Sequence, residues 1–201
     1  MPAPADAGGP DVTEMLAVHR VFRSTCAAAP DLIGTVAASD QHRVELIASY
    51  SANVLGLLHA HHLAEDELLW PVLRARTPAN LALVDPMAAQ HADVVASAAR
   101  CAAAVDAWRR TGGPTVGTDA GALIAALGVE LAAHLDKEEA QVLPLCARVV
   151  TEEEWGAMPG FAMAHFEGDK PWLAIGLVRE QMTPAQRDRA LAGMPPEVRN
   201  D

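Results

Sequence analysis

Along most of the chain, apolar residues recur at alternating steps of three and four, the spacing that turns one helix face toward a core. Between Asp11 and Val150 the pattern divides into four long helical segments. The first is predicted from about Asp11 to Ala29, stopped at Pro30. The second begins within Asp31–Asp40 and ends near Arg76, before Thr77-Pro78. Asp85-Pro86 reads as an N-cap followed by proline at the first helical position, opening a third segment that fades at Thr111-Gly112-Gly113-Pro114. Thr118 or Asp119 caps the fourth, which runs to about Val150.

Residues 1–10 are expected to be a flexible lead-in. After residue 150 the pattern breaks up. Thr151 and Glu154 form a capping box for a short helix, and Pro159-Gly160, Gly168 and Pro171 interrupt the chain beyond it. Thr183-Pro184 starts another short helix, which Met194-Pro-Pro196 ends. The expected fold is all-α: an up-down-up-down four-helix bundle over 11–150, with 151–201 as an appendage of short helices packed on it.

A heptad seam laid on each segment is mostly apolar and is interrupted by histidine or glutamate at six places. His19 interrupts the first, His61 and Glu65 the second, His91 the third, and His134 and Glu138 the fourth. Beyond the glutamates the seam is expected to continue through Leu68 and Val72 on the second segment, and through Gln141 and Leu145 on the fourth. A lone histidine on such a face is ordinarily a hydrogen-bonded core residue. Six polar groups are harder to accommodate, because each unpaired buried polar group costs about 1–3 kcal/mol against a net stability of about 5–15 kcal/mol. A metal ion offsets that cost, since it accepts imidazole nitrogen and carboxylate oxygen together. At about 1.5 Å per residue, the six lie at similar depth in the bundle.

The second and fourth segments carry an internal repeat. His61, Glu65, Asp66 and Pro71 correspond to His134, Glu138, Glu139 and Pro144. The i, i+4 spacing sets imidazole and carboxylate one turn apart on one face. Two such pairs facing each other suit two metal ions bridged by carboxylates.

Composition narrows the remaining possibilities. Of 201 residues, 51% are hydrophobic and 20% charged, enough for a core without disulfides. Aromatics at 4% are too few for a sandwich or barrel. A formal charge of −11 argues against nucleic acid and anionic membrane as partners. Cys26, Cys101 and Cys146 lack metal or disulfide spacing and read as small core residues of a reducing compartment. The N-terminus lacks signal-peptide layout, and charges interrupt the long apolar stretches. A soluble cytoplasmic protein is expected.

With these residues assembled, the chain resembles the hemerythrin-like, or HHE cation-binding, family over about residues 11–150. The resemblance implies a non-haem di-iron centre, oxo- or hydroxo-bridged when oxidised, held by His19, His61, Glu65, His91, His134 and Glu138. It also implies dioxygen, peroxide or nitric oxide as the small-molecule partner. Oxygen-carrying hemerythrins place two histidines four apart on the third helix, whereas His91 is flanked at that spacing by Met87 and Val95. Either a coordination position stands open, favouring breakdown of an oxidant over reversible carriage, or another residue fills it. Three readings are open: an oxidoreductase acting on peroxide or dioxygen (catalase-like turnover included), a module binding or sensing oxygen, nitric oxide or iron, and a structural bundle with adventitious metal or one holding zinc or manganese instead of iron.

Other residues receive lesser roles. His62 and Asp66 fall about 100° off the seam and are expected outside it, toward solvent or behind the ligands. His42 and His59 are expected at the surface. Tyr50 could face the interior, and His165 is the best candidate for the missing ligand should the appendage fold over the site. Pro71 and Pro144 are expected to kink their helices just beyond the site. Trp70, Trp108, Trp155 and Trp172 are expected to be core or cover residues.

Overall fold

A computed structural model describes residues 9–37 and 39–193. Asp11 caps a short 3₁₀ turn that leads into α1 (Met15–Gly34). A second helical rod comprises α2 (Gln41–Ala64), a π turn (Glu65–Leu69) and α3 (Trp70–Arg76). The third long element is α4 (Leu81–Thr111). A fourth rod repeats the plan of the second, with α5 (Pro114–Lys137), a π turn (Glu138–Val142) and α6 (Leu143–Val149). The appendage adds α7 (Glu152–Ala164), α8 (Pro171–Gln181) and α9 (Pro184–Gly193). The described residues are helical and carry no strand.

Several ends follow their sequence signals. Asp40 accepts from the Arg43 amide at the start of α2. Gly112 takes the left-handed conformation (φ 63°) that terminates α4. Both arms of the Thr151–Glu154 capping box are present. Three prolines, however, do not break helices where expected. α1 runs through Pro30 because Ile33, one turn on, is buried against Gly117 of α5. Burying that side chain contributes about 1.5–3 kcal/mol, comparable to the cost of an interior proline. α4 starts four residues before Asp85, whose carboxylate bonds Arg74 Nε at 2.8 Å instead of capping. α7 runs through Pro159, anchored by buried Trp155 and Met158.

The four rods form a ring in which α1 packs on α2, α2 on α4, α4 on α5, and α5 on α1. α7 lies on α2, and α8 lies across α1 and α2. Of the lead-in, residues 1–8 lie outside the described residues, while Pro10 is buried and Gly9 meets the Ala147 carbonyl. The expected helix end at 194–196 also lies outside them. The rod Pro114–Val149 is long and apolar enough by length and composition to cross a membrane, contrary to expectation. Its inward face nevertheless packs on α1 and α4 and carries His134 and Glu138.

The interior comprises two apolar cores. One includes Phe22, Leu58, Val94 and Leu131, and the other Met15, Leu69, Met87 and Val142. On each rod the polar seam residues fall between them, forming a polar layer with apolar packing on both sides. Trp70, Trp108 and Trp155 are buried, whereas Trp172 is exposed. The three cysteines are buried free thiols, and burial pushes that of Cys26 up to about 12.

Candidate metal centre

The two π turns begin on the two glutamates of the repeat. A π turn accommodates one residue more than an α turn, so every later position moves one place around the helix. The expected seam therefore slips. Leu69 and Leu73 are buried in place of Leu68 and Val72, and Val142 is buried in place of Gln141, while Leu145 is buried as expected and Cys146 beside it is buried too. Pro71 and Pro144 sit just past the widened turns, where a missing amide is tolerated.

All six predicted residues converge in the polar layer and are buried. A seventh joins them. His62, expected outside the seam, is fully buried, with its ring stacked on His91 at 4.3 Å between centroids. Its repeat partner is Leu135, also fully buried. An apolar residue at that position was the available signal that the position faces inward. The potential ligand atoms form two groups, each within 4.8 Å: His62, His91 and His134, and His19, His61, Glu65 and Glu138.

Each carboxylate stands among imidazoles. Glu65 Oε1 lies 3.5 Å from His61 Nε2, and its Oε2 lies 3.5 Å from His91 Nε2, so its two oxygens face histidines of different groups. Glu138 Oε2 lies 3.6 Å from His19 Nε2 and 3.9 Å from His134 Nε2. These gaps are long for hydrogen bonds but fit two donors of one cation, each about 2.0–2.2 Å from it. Ten buried side-chain nitrogen and oxygen atoms lack a hydrogen-bond partner among the described residues, and all belong to these seven residues.

The opposite edges of three imidazoles are held. His91 Nδ1 donates to Asp66 Oδ1 at 2.7 Å, and His19 Nδ1 donates to Glu139 Oε1 at 2.9 Å. His134 Nδ1 reaches Gln90 Oε1 at 3.2 Å. The Trp70 indole also points at His91 Nδ1, but at 3.4 Å, so the shorter carboxylate contact decides the tautomer. In each repeat, then, one acid enters the layer and the next orients a histidine from a neighbouring helix. Such partners aim Nε2 at a metal. The hydrogen bond to His19 holds the Glu139 carboxyl below its ordinary value.

Burial lowers the His61 and His62 imidazoles well below their ordinary values, reinforced by neighbouring histidines. Burial also lowers His134, to about 4. Neutral imidazoles are the metal-binding form. Burial, with Glu138 beside it, raises Glu65 well above the carboxylate range.

The remaining candidates fall elsewhere. His165 is exposed and bonds through Nδ1 to the Phe161 carbonyl, far from the role of a replacement ligand. Tyr50 bonds Thr25 through its hydroxyl at 2.7 Å and joins neither group. His42 is exposed as expected, whereas His59 is half-buried.

The model of the Hemerythrin HHE cation binding domain matches residues 11–146. This chain belongs to that family. The matched span contains all seven residues, so a cation-binding domain and the two groups able to hold a metal coincide. No curated protein and no solved structure matches the chain.

Proposed function

We propose that this chain holds two iron ions within an up-down-up-down bundle and uses them to bind and react with a small oxidant, dioxygen or peroxide. The observation that carries this reading is the set of ten orphaned atoms on seven converging residues. Left unpaired, they would cost about 1–3 kcal/mol each, a total that matches or exceeds the net stability of an ordinary domain, about 5–15 kcal/mol. Donor chemistry fits iron: five imidazoles and two carboxylates, with no thiolate. His62, His91 and His134 would hold one ion, and His19 and His61 the other, with Glu65 and Glu138 shared between them. When bound, such a pair supplies one-electron redox chemistry and a coordination position for the oxidant.

The chain's own residues prepare that chemistry. Asp66 and Glu139 keep the Nδ1 protons of His91 and His19 on the outer edge, leaving both Nε2 lone pairs inward. Burial favours the protonated form of Glu65, so entry of a cation competes with a proton there. Phe22 on one side and Trp70 on the other exclude water. His62, on α2, would supply the fifth imidazole that the third segment lacks. The nitrogen count therefore no longer implies an extra open position, and reversible binding stands beside peroxide breakdown. Buried free thiols and the acidic balance support a reducing cytoplasm, with no nucleic acid or membrane as partner.

The test is to load metal-stripped protein anaerobically with ferrous ion, count ions per chain, then admit air or peroxide. About two irons per chain, with new visible absorption on oxidation, is the expected result. Unchanged spectra with at most one loosely held ion would overturn the reading. Oxygen evolution from peroxide, abolished in Glu65→Ala and His134→Ala, identifies turnover. Spectral change without evolution identifies a binding module.

A further inference from the structure

A cavity of about 450 Å³ lies between α2 and α4, with His62 among the residues lining it. That volume lies within the range of small-molecule sites, about 300–1,000 Å³, and is more than ten times the roughly 30 Å³ share of one water. Dioxygen or peroxide needs far less. By contrast, the cavity on the Phe22 side, among Leu58, Leu127 and Leu131, has only about 10 Å³.

The cavity's composition is specific. Gly56 and Ala52 on α2 and Val95, Ala98, Ala99 and Ala102 on α4 leave space where larger side chains would fill it. His59 and Glu167 are polar groups in the same lining. Fully buried His62 lies at the inner wall, between the cavity and the polar layer.

Glu167 is brought there by a built connection. Buried Asn53 on α2 donates through Nδ2 to Asp169 Oδ1 at 2.7 Å and accepts from the Lys170 amide at 2.8 Å. Lys170 Nζ reaches Ser49 Oγ at 2.5 Å. Gly168 crosses α2 at Gly56, where a Cβ added to Gly56 would stand 3.2 Å from the Gly168 amide nitrogen. The segment between α7 and α8 is thus latched to α2 and supplies part of the wall.

We infer that this cavity binds a small neutral organic molecule with an apolar body and one hydrogen-bonding end, placed beside the centre on its His62 side. The inference rests on the metal-centre reading for its position, but not for binding itself. Small apolar side chains recognise the body, and His59 and Glu167 meet the polar end. A free small molecule fits better than a partner chain because the latched segment supplies Glu167 to the wall and the cavity reaches in between α2 and α4 as far as His62.

The probe is N-phenyl-1-naphthylamine, a neutral amine that fluoresces in apolar surroundings, titrated into the full chain both iron-loaded and metal-stripped. Saturable binding of one probe per chain is expected. Ala99→Phe and Ala102→Phe, both at exposed positions that leave the fold and all seven polar-layer residues intact, should each weaken it at least tenfold. Ala103→Phe, an exposed position outside the cavity lining, should not. Absence of saturable binding, unchanged affinity in Ala99→Phe and Ala102→Phe, or equal loss in Ala103→Phe would each overturn the inference. Probe binding by a chain that takes up no iron would retain the cavity and reject the centre.

Discussion

Replacing His62 by leucine separates the stability of the metal-free fold from its capacity for metal, because the two should move in opposite directions. In the repeat the same position is Leu135, fully buried on α5, so a leucine suits this level of the bundle. The substitution removes two buried ring nitrogens that have no partner. Relieving such a group contributes about 1–3 kcal/mol to the metal-free chain. At about 2–4 °C per kcal/mol for a chain of this size, its melting temperature should rise by several degrees. With metal, one of three imidazoles in its group is gone. Loss of a mere orienting partner weakens metal about 10–100-fold, so loss of a ligand should weaken that ion by more than 100-fold. Calorimetric melting with and without ferrous ion, together with metal counts after gel filtration, reads both effects. His62→Leu should melt higher than the parent when metal-free, lower when loaded, and retain about one ion instead of about two. A metal-free form that melts lower, with two ions still retained, would refute the assignment of His62 and the cost ascribed to its nitrogens.

Asp66→Asn and Glu139→Gln keep shape but remove the acceptors that orient His91 and His19, so each should cost about 10–100-fold in metal affinity with little change in metal-free melting, measured by competition with a chromophoric chelator. Metal affinity should rise with pH above the ordinary glutamate value of 4.5, because burial favours the protonated form of Glu65 and a cation must displace that proton; a pH-independent affinity would contradict this. In the metal-free chain the lowered imidazoles act the other way from Glu65. Below the ordinary histidine value the unfolded chain takes up protons that folded His61, His62 and His134 refuse, so their contribution to stability is lost as pH falls from 6.5 toward about 4. The raised Glu65 removes stability as pH rises above 4.5, and three imidazoles against one carboxyl predict a net loss of melting temperature on acidification through that window. Gly168→Ala would set a Cβ 2.2 Å from Phe166 Cζ and 2.5 Å from Asn53 Oδ1, and should destabilise the chain by about 1–3 kcal/mol in urea melts while leaving metal content unchanged.

Helix content, the four rods and six of the seven polar-layer positions were legible in the sequence because they depend on local period. An α-helix returns a side chain to the same face every three to four residues, so a histidine at a seam position is turned inward whatever its neighbours do. Capping at Thr151 and the stop at Gly112 were legible for the same reason: each is a contact within one turn. The misleading signals were those that depend on partners distant in the chain. Pro30 reads as a stop until Ile33 is seen against Gly117. The seam beyond each glutamate reads straight until the π turns rotate it by one residue, so that Leu69 and Val142 face the core.

His62 depends on both kinds of information. Its angle on an ideal helix places it off the seam. At this level the His62 ring meets His91 from the neighbouring α4 and His134 from α5 across the bundle, and the layer is wide enough to take two adjacent positions of the same turn. Likewise, pairing of Asp66 with His91 and of Glu139 with His19 joins residues 25 and 120 apart in sequence. The sequence alone therefore determined which residues could serve a metal, because helical period is local. The tertiary structure decided how many of them converge in one layer and which acid orients which imidazole, because those depend on how closely separate helices pack.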